Sequence, residues 1–190
     1  MAKYNQTAHK ILDIAERFTQ TRGFNAFSYR DIQQEMGIKT SSIHYYFPVK
    51  QDLAAAMVTR YSERYQDDLE GIDTQDISAT EKLRKLGNIF ISATKAGKFC
   101  LCGMMAADLM AIPPEAEDAL TAFFDLNEQW IACVIAQGIS SGELKQSVQP
   151  NRAACHFLAT LEGGMLIARV RRDARYLQTM IEESLDEMRV

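Results

Sequence analysis

Apolar residues recur along this chain at helical spacing, with no strict apolar/polar alternation kept up for long. Ile11, Ala15 and Phe18, with Leu12 and Ile14 beside them, predict one helix over about 5–21, which Arg22-Gly23 stops. Phe24 and Phe27 follow in a turn and are expected in the core. Ser28 with Asp31 three residues later is a helix N-terminus signature, because each side chain can satisfy a free backbone N–H. Ile32 and Met36 give this second helix one apolar stripe, Gly37 ends it, and Ile38 points back inward. A third short helix starts around Thr40, carries Ile43 inward and runs out near Phe47-Pro48. Proline cannot continue a helix but opens the next one well, and Asp52–Val58 is strongly helical.

Past this point the acidic stretch 66–80 reads as a break, with helices expected over about 79–95, 101–111, 115–140, 151–173 and 174–188. Pro113-Pro114, Gly142 and Pro150 mark the breaks between them. Composition agrees: only four prolines and ten glycines interrupt a chain filled with residues that lose little rotamer freedom in a helix. An all-α protein is expected. Its 190 residues fit one large domain or two, and the pattern divides them at 1–50 and 51–190. A hydrophobic content of 47% excludes a disordered chain, and no long uncharged apolar run marks a membrane span. The first residues lack the apolar stretch of a signal peptide, and four cysteines are too few for a disulfide scaffold. These features together point to a soluble cytoplasmic protein.

Charge sharpens the picture. Residues 1–65 carry nine Lys/Arg against six Asp/Glu, a net +3, whereas the other 125 residues sum to −7. A basic first third on an acidic protein suggests that only this third meets a polyanion, although a swing of this size also arises by chance. Two short helices joined by a glycine turn behind a longer supporting helix form a helix-turn-helix unit, locked by Ile32, Met36, Ile38, Ile43 and Phe47. Lys39, Thr40, Ser41, Ser42, His44, Tyr45 and Tyr46 are left facing outward. Small hydroxyls let a backbone approach DNA, and Lys, His and Tyr reach base edges or phosphates. A solvated helical hairpin fits the same spacing.

The run from Ser28-Tyr29-Arg30-Asp31-Ile32 through Met36-Gly37-Ile38-Lys39-Thr40-Ser41-Ser42-Ile43-His44-Tyr45-Tyr46-Phe47-Pro48 to Lys50 and Leu53 resembles the DNA-binding domain of TetR-family transcriptional regulators. The match runs from about Ile11 to Leu53. Ser28, Ile32, Gly37, Tyr45, Tyr46, Phe47, Pro48 and Lys50 fill the pattern's places; Gln33, Met36, Ser41 and His44 depart from it, the last two on the DNA face. The resemblance implies a repressor, released from its operator by a small molecule. Ser28, Tyr29 and Lys50 are expected at phosphates. Lys39, Thr40, Ser41, Ser42 and His44 are expected at base edges or close beside the DNA, and Tyr45 and Tyr46 at backbone or thymine methyl, one of them being open to a structural role instead. So small a domain needs two copies on a palindromic double-stranded operator, so a homodimer is expected.

The resemblance also implies that the rest of the chain is a helical domain for effector binding and dimerisation. Leu120–Gly138 and Ala153–Val170 are apolar over more than one face and suit a dimer seam; Gly163-Gly164 in mid-helix calls for close approach of a partner helix or ligand. Arg169, Arg171, Arg172 and Arg175 cluster at the end of the second helix. Phe90, Thr94, Cys102, Met105, Leu109, Phe124, Trp130, His156 and Glu162 are the effector-pocket candidates, with His156 and Glu162 as the buried polar pair that would orient a ligand. Cys100 and Cys102, close to Lys95 and Lys98, leave open a redox-responsive regulator, while Cys133 and Cys155 sit on apolar stretches where a thiol is an inert small hydrophobe. A small helical enzyme is the remaining class. It finds no G-x-S-x-G, no H-E-x-x-H, no phosphate loop and no C-x-x-C, and the three histidines are far apart, so no catalytic residue, metal or cofactor is expected.

Overall fold

The computed structural model describes residues 5–190, leaving Met1–Tyr4, and with them the expected cation Lys3, outside the described residues. Among the described residues the regular elements are helical: α1 (Gln6–Arg22), α2 (Tyr29–Met36), α3 (Thr40–Tyr46), α4 (Lys50–Asp73), α5 (Ala79–Lys95), α6 (Leu101–Ala107), α7 (Pro114–Ser140), α8 (Pro150–Arg171) and α9 (Ala174–Met188), with short 3-10 turns at Phe24–Ala26 and Leu109–Ala111. The all-α expectation therefore holds.

The chain gathers into two compact units, and they differ from a division at residue 50. One holds the residues up to Arg64 together with Cys100–Thr121; the other holds Tyr65–Phe99 and Ala122–Val190. Helices α4 and α7 each run from one unit into the other.

In the first unit, Ile11, Leu12, Ala15 and Phe18 of α1 meet Phe24, Phe27, Ile32, Ile43, Phe47, Leu53 and Met57 in a closed core. Phe27 stacks on Phe18 and Phe24 at centroid distances of 5.5 and 5.9 Å. Gly37 has φ +67°, the left-handed turn that glycine adopts without a Cβ penalty, and so lets α3 fold back on α2. Helix α6 packs on α1, burying Leu101, Cys102 and Met105. The carboxylate of Asp108, just past α6, accepts the N–H of Asn25 at 3.3 Å. Asp108 also ends the helix expected over 101–111, and only a 3-10 turn continues it.

In the second unit α8 packs on α9, and both pack on α5. Gly87 and Gly164 allow these close approaches: a Cβ at Gly87 would stand 2.9 Å from Ile181 Cδ1, and one at Gly164 would stand 2.7 Å from Leu177 Cδ1. A Cβ at Gly163 would meet nothing within 4 Å. The start of α5 is capped from afar by Glu143, whose carboxylate accepts the N–H groups of Ala79 and Thr80, both at 2.9 Å.

One expectation needs correction. The acidic stretch does not break the chain at residue 66. Tyr65, Leu69 and Ile72 lie at helical spacing and are buried, so α4 continues to Asp73 and the break shrinks to 74–78. Helix α8 is long and apolar enough to cross a bilayer by length and composition. Here one face of it is core (Ala154, Phe157, Leu158, Leu161, Met165, Ala168), while Leu166, Ile167 and Val170 are exposed.

Candidate nucleic-acid interface

The outward surface of α2 and α3 is built on a rigid floor. Ile32 and Ile43 are fully buried and pin the two helices together. Ser28 donates its N–H and its hydroxyl to the Asp31 carboxylate at 2.8 and 2.6 Å, closing the start of α2. Those bonds hold the Asp31 carboxyl below its usual range, the Ser28 hydroxyl contributing most. On top of this floor, Lys39, Ser41, His44 and Tyr45 are exposed, with Tyr45 at 80%, and Thr40, Ser42 and Tyr46 are half-buried. Thr40 donates to Gln33 of α2, which fixes its hydroxyl.

Most acids of this unit are turned to internal partners. Asp13 and Glu16 pair with Arg60, Glu16 also with Arg64, Glu35 with Arg17, and Asp52 takes the N–H of Val49. Lys10, Arg30 and Lys39 are exposed cations on the same unit. Each ion pair cancels a cation together with a carboxylate, so exposed cations such as Lys10, Arg30 and Lys39 supply the charge that a polyanion would meet here.

Two residues expected at phosphates are committed elsewhere. Tyr29 is buried, and its hydroxyl lies within donating distance of the carbonyls of Phe47 (2.9 Å) and Val49 (2.7 Å). Burial first, and then the negative charge of Asp52, push this phenol far above its usual range, so it remains a protonated donor. Lys50 reaches under the turn after α1 and donates to the carbonyls of Phe24 and Phe27, both at 2.5 Å, with its ammonium 4.3 Å from each of their ring centroids. Burial pulls its pKa down, against the opposing pull of Asp108 and Asp31. Both side chains clamp the reader helices from inside. Their polar ends resemble DNA ligands in sequence, and only the fold shows the carbonyls they serve.

Other neighbours were invisible in the spacing. Asn5 caps α1, accepting from Thr7 N and Ala8 N, and donates through Nδ2 to the Tyr46 hydroxyl at 2.6 Å, tying the start of α1 to the end of α3. Of the two tyrosines it is thus Tyr46 that takes a structural bond, and Tyr45 stands free against its edge, at 5.0 Å between centroids. Arg30, exposed on α2, joins the candidate set by position alone.

The effector-pocket candidates are divided between the two units. Cys102, Met105 and Leu109 fall in the first unit; Phe90, Thr94, Phe124, Trp130, His156 and Glu162 fall in the second. Phe90, Cys102 and Met105 are buried, whereas Leu109 is exposed. Trp130 donates Nε1 to Asp73 at 2.8 Å. His156, expected as a buried orienting group, is exposed instead. It lines an open groove of about 480 Å³ between α8 and α9, with Arg152, Phe157, Met180, Glu183 and Met188. The buried polar pair of the second unit is a different one: Asn127, fully buried, accepts the Tyr65 hydroxyl at 2.7 Å and donates to the Phe123 carbonyl at 2.8 Å.

Cys100 and Cys102 are buried. Cys133 and Cys155 are exposed, contrary to the expected packing, and a hydrogen bond to the Glu128 carboxylate pushes the Cys155 thiol up, away from reactive thiolate. Among the described residues no cluster of three or more His, Cys, Asp and Glu side chains is placed to hold a metal.

Comparison with known proteins places both halves. Residues 11–57 match the model for "Bacterial regulatory proteins, tetR family", and residues 79–183 match "Tetracyclin repressor-like, C-terminal domain". The chain is 23% identical over 184 residues to the HTH-type transcriptional repressor DhaR of Mycobacterium sp. (strain GP1), covering 90% of each. A TetR transcriptional regulator from Legionella pneumophila superposes with a TM-score of 0.87 at 29% identity, covering all of both chains. A TetR-family regulator from Agrobacterium tumefaciens reaches 0.91 at 28% identity over 96% of this chain and 97% of its own.

Proposed function

The chain belongs to the TetR family of DNA-binding transcriptional regulators, and from that premise we propose that it is a cytoplasmic repressor which grips a palindromic operator as a homodimer and lets go when a small molecule binds its helical domain. The observation that carries this reading is the outward face of α3. A seven-residue helix anchored by buried Ile43 turns Lys39, Ser41, His44 and Tyr45 outward, on a unit in which Asp13, Glu16 and Glu35 are paired with arginines. Ser28, Thr40, Ser42 and Arg30 sit beside them, and this set would read and position the duplex, phosphate contacts fixing register and base edges specifying sequence.

For the homodimer the support is α8, whose exposed face carries Cys155, Ala159, Leu166, Ile167 and Val170 beside open, half-buried Gly163. Small residues of this kind admit a second helix at close range. For release the support is α6, which packs on α1 beneath the reader helices, so that a ligand shifting α6 would move them too. Phe90, Phe124 and Trp130 remain the aromatic candidates for holding such a ligand. The repressor named among the relatives favours repression over activation. Burial of Cys100 and Cys102 denies an oxidant the access a thiol switch requires, which favours a ligand as the trigger.

The test is selection of bound genomic fragments, followed by affinity measurements on the best fragment at 50 and 200 mM salt. A palindromic consensus with a loss of roughly 10³–10⁵ in affinity, as 6–10 phosphate contacts give, is expected. Absence of a consensus together with a flat salt response would overturn the reading. A reporter behind the same fragment should rise when the gene is deleted; a fall would make the protein an activator.

A further inference from the structure

We infer that His44 accepts from an exocyclic amino group in the major groove and so reads the orientation of a base pair, adenine or cytosine on the strand it faces, because the fold fixes its ring as an acceptor. The inference rests on the proposed role of the α2–α3 face and adds the chemistry that one position of it selects. Nδ1 of His44 lies 3.0 Å from the carbonyl oxygen of Pro48. A carbonyl only accepts, so Nδ1 carries the hydrogen and donates it. In the neutral ring Nε2 is then left with a lone pair and no hydrogen.

Three features keep the ring from exchanging these roles. Pro48 opens the turn into α4 with a ring-fixed φ, which removes one of the two torsions that place the carbonyl receiving Nδ1–H. The ring packs against Tyr29 at 4.9 Å between centroids, 66° between planes. Tyr29 is itself held by the carbonyls of Phe47 and Val49, on the same turn. Backbone, tyrosine and imidazole thus form one brace, and its outer end is exposed on the helix that carries exposed Ser41 and Tyr45.

The consequence follows from the base edges. Adenine N6 and cytosine N4 are donors in the major groove, whereas guanine N7 and O6 and thymine O4 only accept. A lone pair on Nε2 meets a hydrogen at the first two and another lone pair at the others. Tyr29, although buried, becomes a positioning residue for specificity, acting through the imidazole that it holds.

The experiment is in vitro selection from randomised duplexes at pH 8 with the full chain and with His44→Ala and His44→Tyr. One symmetry-related pair of positions should accept A·T and C·G in one strand orientation over the reversed T·A and G·C by roughly 5- to 30-fold in the unaltered protein. That preference should vanish in His44→Ala, with a larger loss on the operator than on random DNA, and in His44→Tyr, whose hydroxyl both donates and accepts. The histidine ¹⁵N spectrum of the free protein should show His44 with its hydrogen on Nδ1. Equal acceptance of A·T and T·A, or acceptance of both purines on one strand, at the affected position, an unchanged consensus in His44→Ala, an equal loss on operator and random DNA, or a hydrogen on Nε2 would each overturn the inference while leaving the α2–α3 face as the reader. No consensus from the unaltered protein would overturn that face and this inference with it.

Discussion

Helices α3 and α8 are both half core and half surface, and their outer faces are opposites. Around buried Ile43, α3 shows Lys39, Ser41, His44 and Tyr45, every one able to donate, accept or stack. Around buried Phe157, Leu161 and Met165, α8 shows Arg152 and His156 at its start, but near its end Leu166, Ile167 and Val170, the last 85% exposed, stand as apolar side chains among Arg169 and Arg171. Burial alone does not tell the two helices apart. The chemistry left outside does: a polar face fits a partner presenting phosphates and base edges, and an apolar one fits another apolar helix.

The largest effect should come from spoiling the α8 face. Leu166→Glu with Val170→Glu places two charges where a second copy is proposed to pack, at positions exposed enough to leave the fold intact. The variant should be a monomer by light scattering at micromolar concentration. Its operator affinity should fall by about 10²-fold or more, because the second half-site is no longer delivered by tethering. A dimer that survives the double change would move the seam elsewhere.

A smaller effect divides the lysines of the other face. Lys39 is exposed, whereas Lys50 serves the carbonyls of Phe24 and Phe27. Lys39→Ala should lower the salt slope of DNA binding by about one unit and leave stability within ~0.5 kcal/mol. Lys50→Ala strips two buried carbonyls of a charged donor and should cost about 2–3 kcal/mol in denaturant unfolding. If Lys50→Ala keeps its stability and lowers the salt slope instead, Lys50 belongs to the DNA face.

The same contrast explains what could be read from the residues alone. Helices α1 to α3 were legible because each end carries its own punctuation: Gly23, Ser28 with Asp31, Gly37 and Phe47-Pro48. The far end of α4 was not, since Asp67, Asp68 and Glu70 look like a loop while Tyr65, Leu69 and Ile72 silently continue the apolar stripe. Tyr29 and Lys50 look like DNA ligands in sequence, because a hydroxyl or an ammonium there does not say which carbonyl lies within reach. His156 was placed inside because its neighbours Phe157 and Leu158 are, although a step of 100° along a helix separates core from solvent. That α6 joins α1, far away in sequence, is a property of tertiary packing that no local pattern announces.

The smallest effect concerns the support beneath the two faces, each held by a carboxylate at a helix start. Asp31 closes α2 under the reader face, and Glu143 closes α5, against which α8 packs. Glu143 is held below its usual range: burial pushes it up, but hydrogen bonds from Thr80, Ser78 and Ala79 outweigh that push. A carboxyl with a lowered folded pKa adds stability above its unfolded value of ~4.3 and loses it as the pH falls through the folded one. Stability should therefore decline on the acid side, and Glu143→Ala should flatten that decline while costing about 1–2 kcal/mol at neutral pH, as for a lost helix cap. Asp31→Asn, removing an exposed charge from the other unit, should flatten it less. Denaturant unfolding from pH 3 to pH 7 measures both slopes. If Asp31→Asn has the larger effect, the reader face rather than the helical unit is the one that acid loosens first.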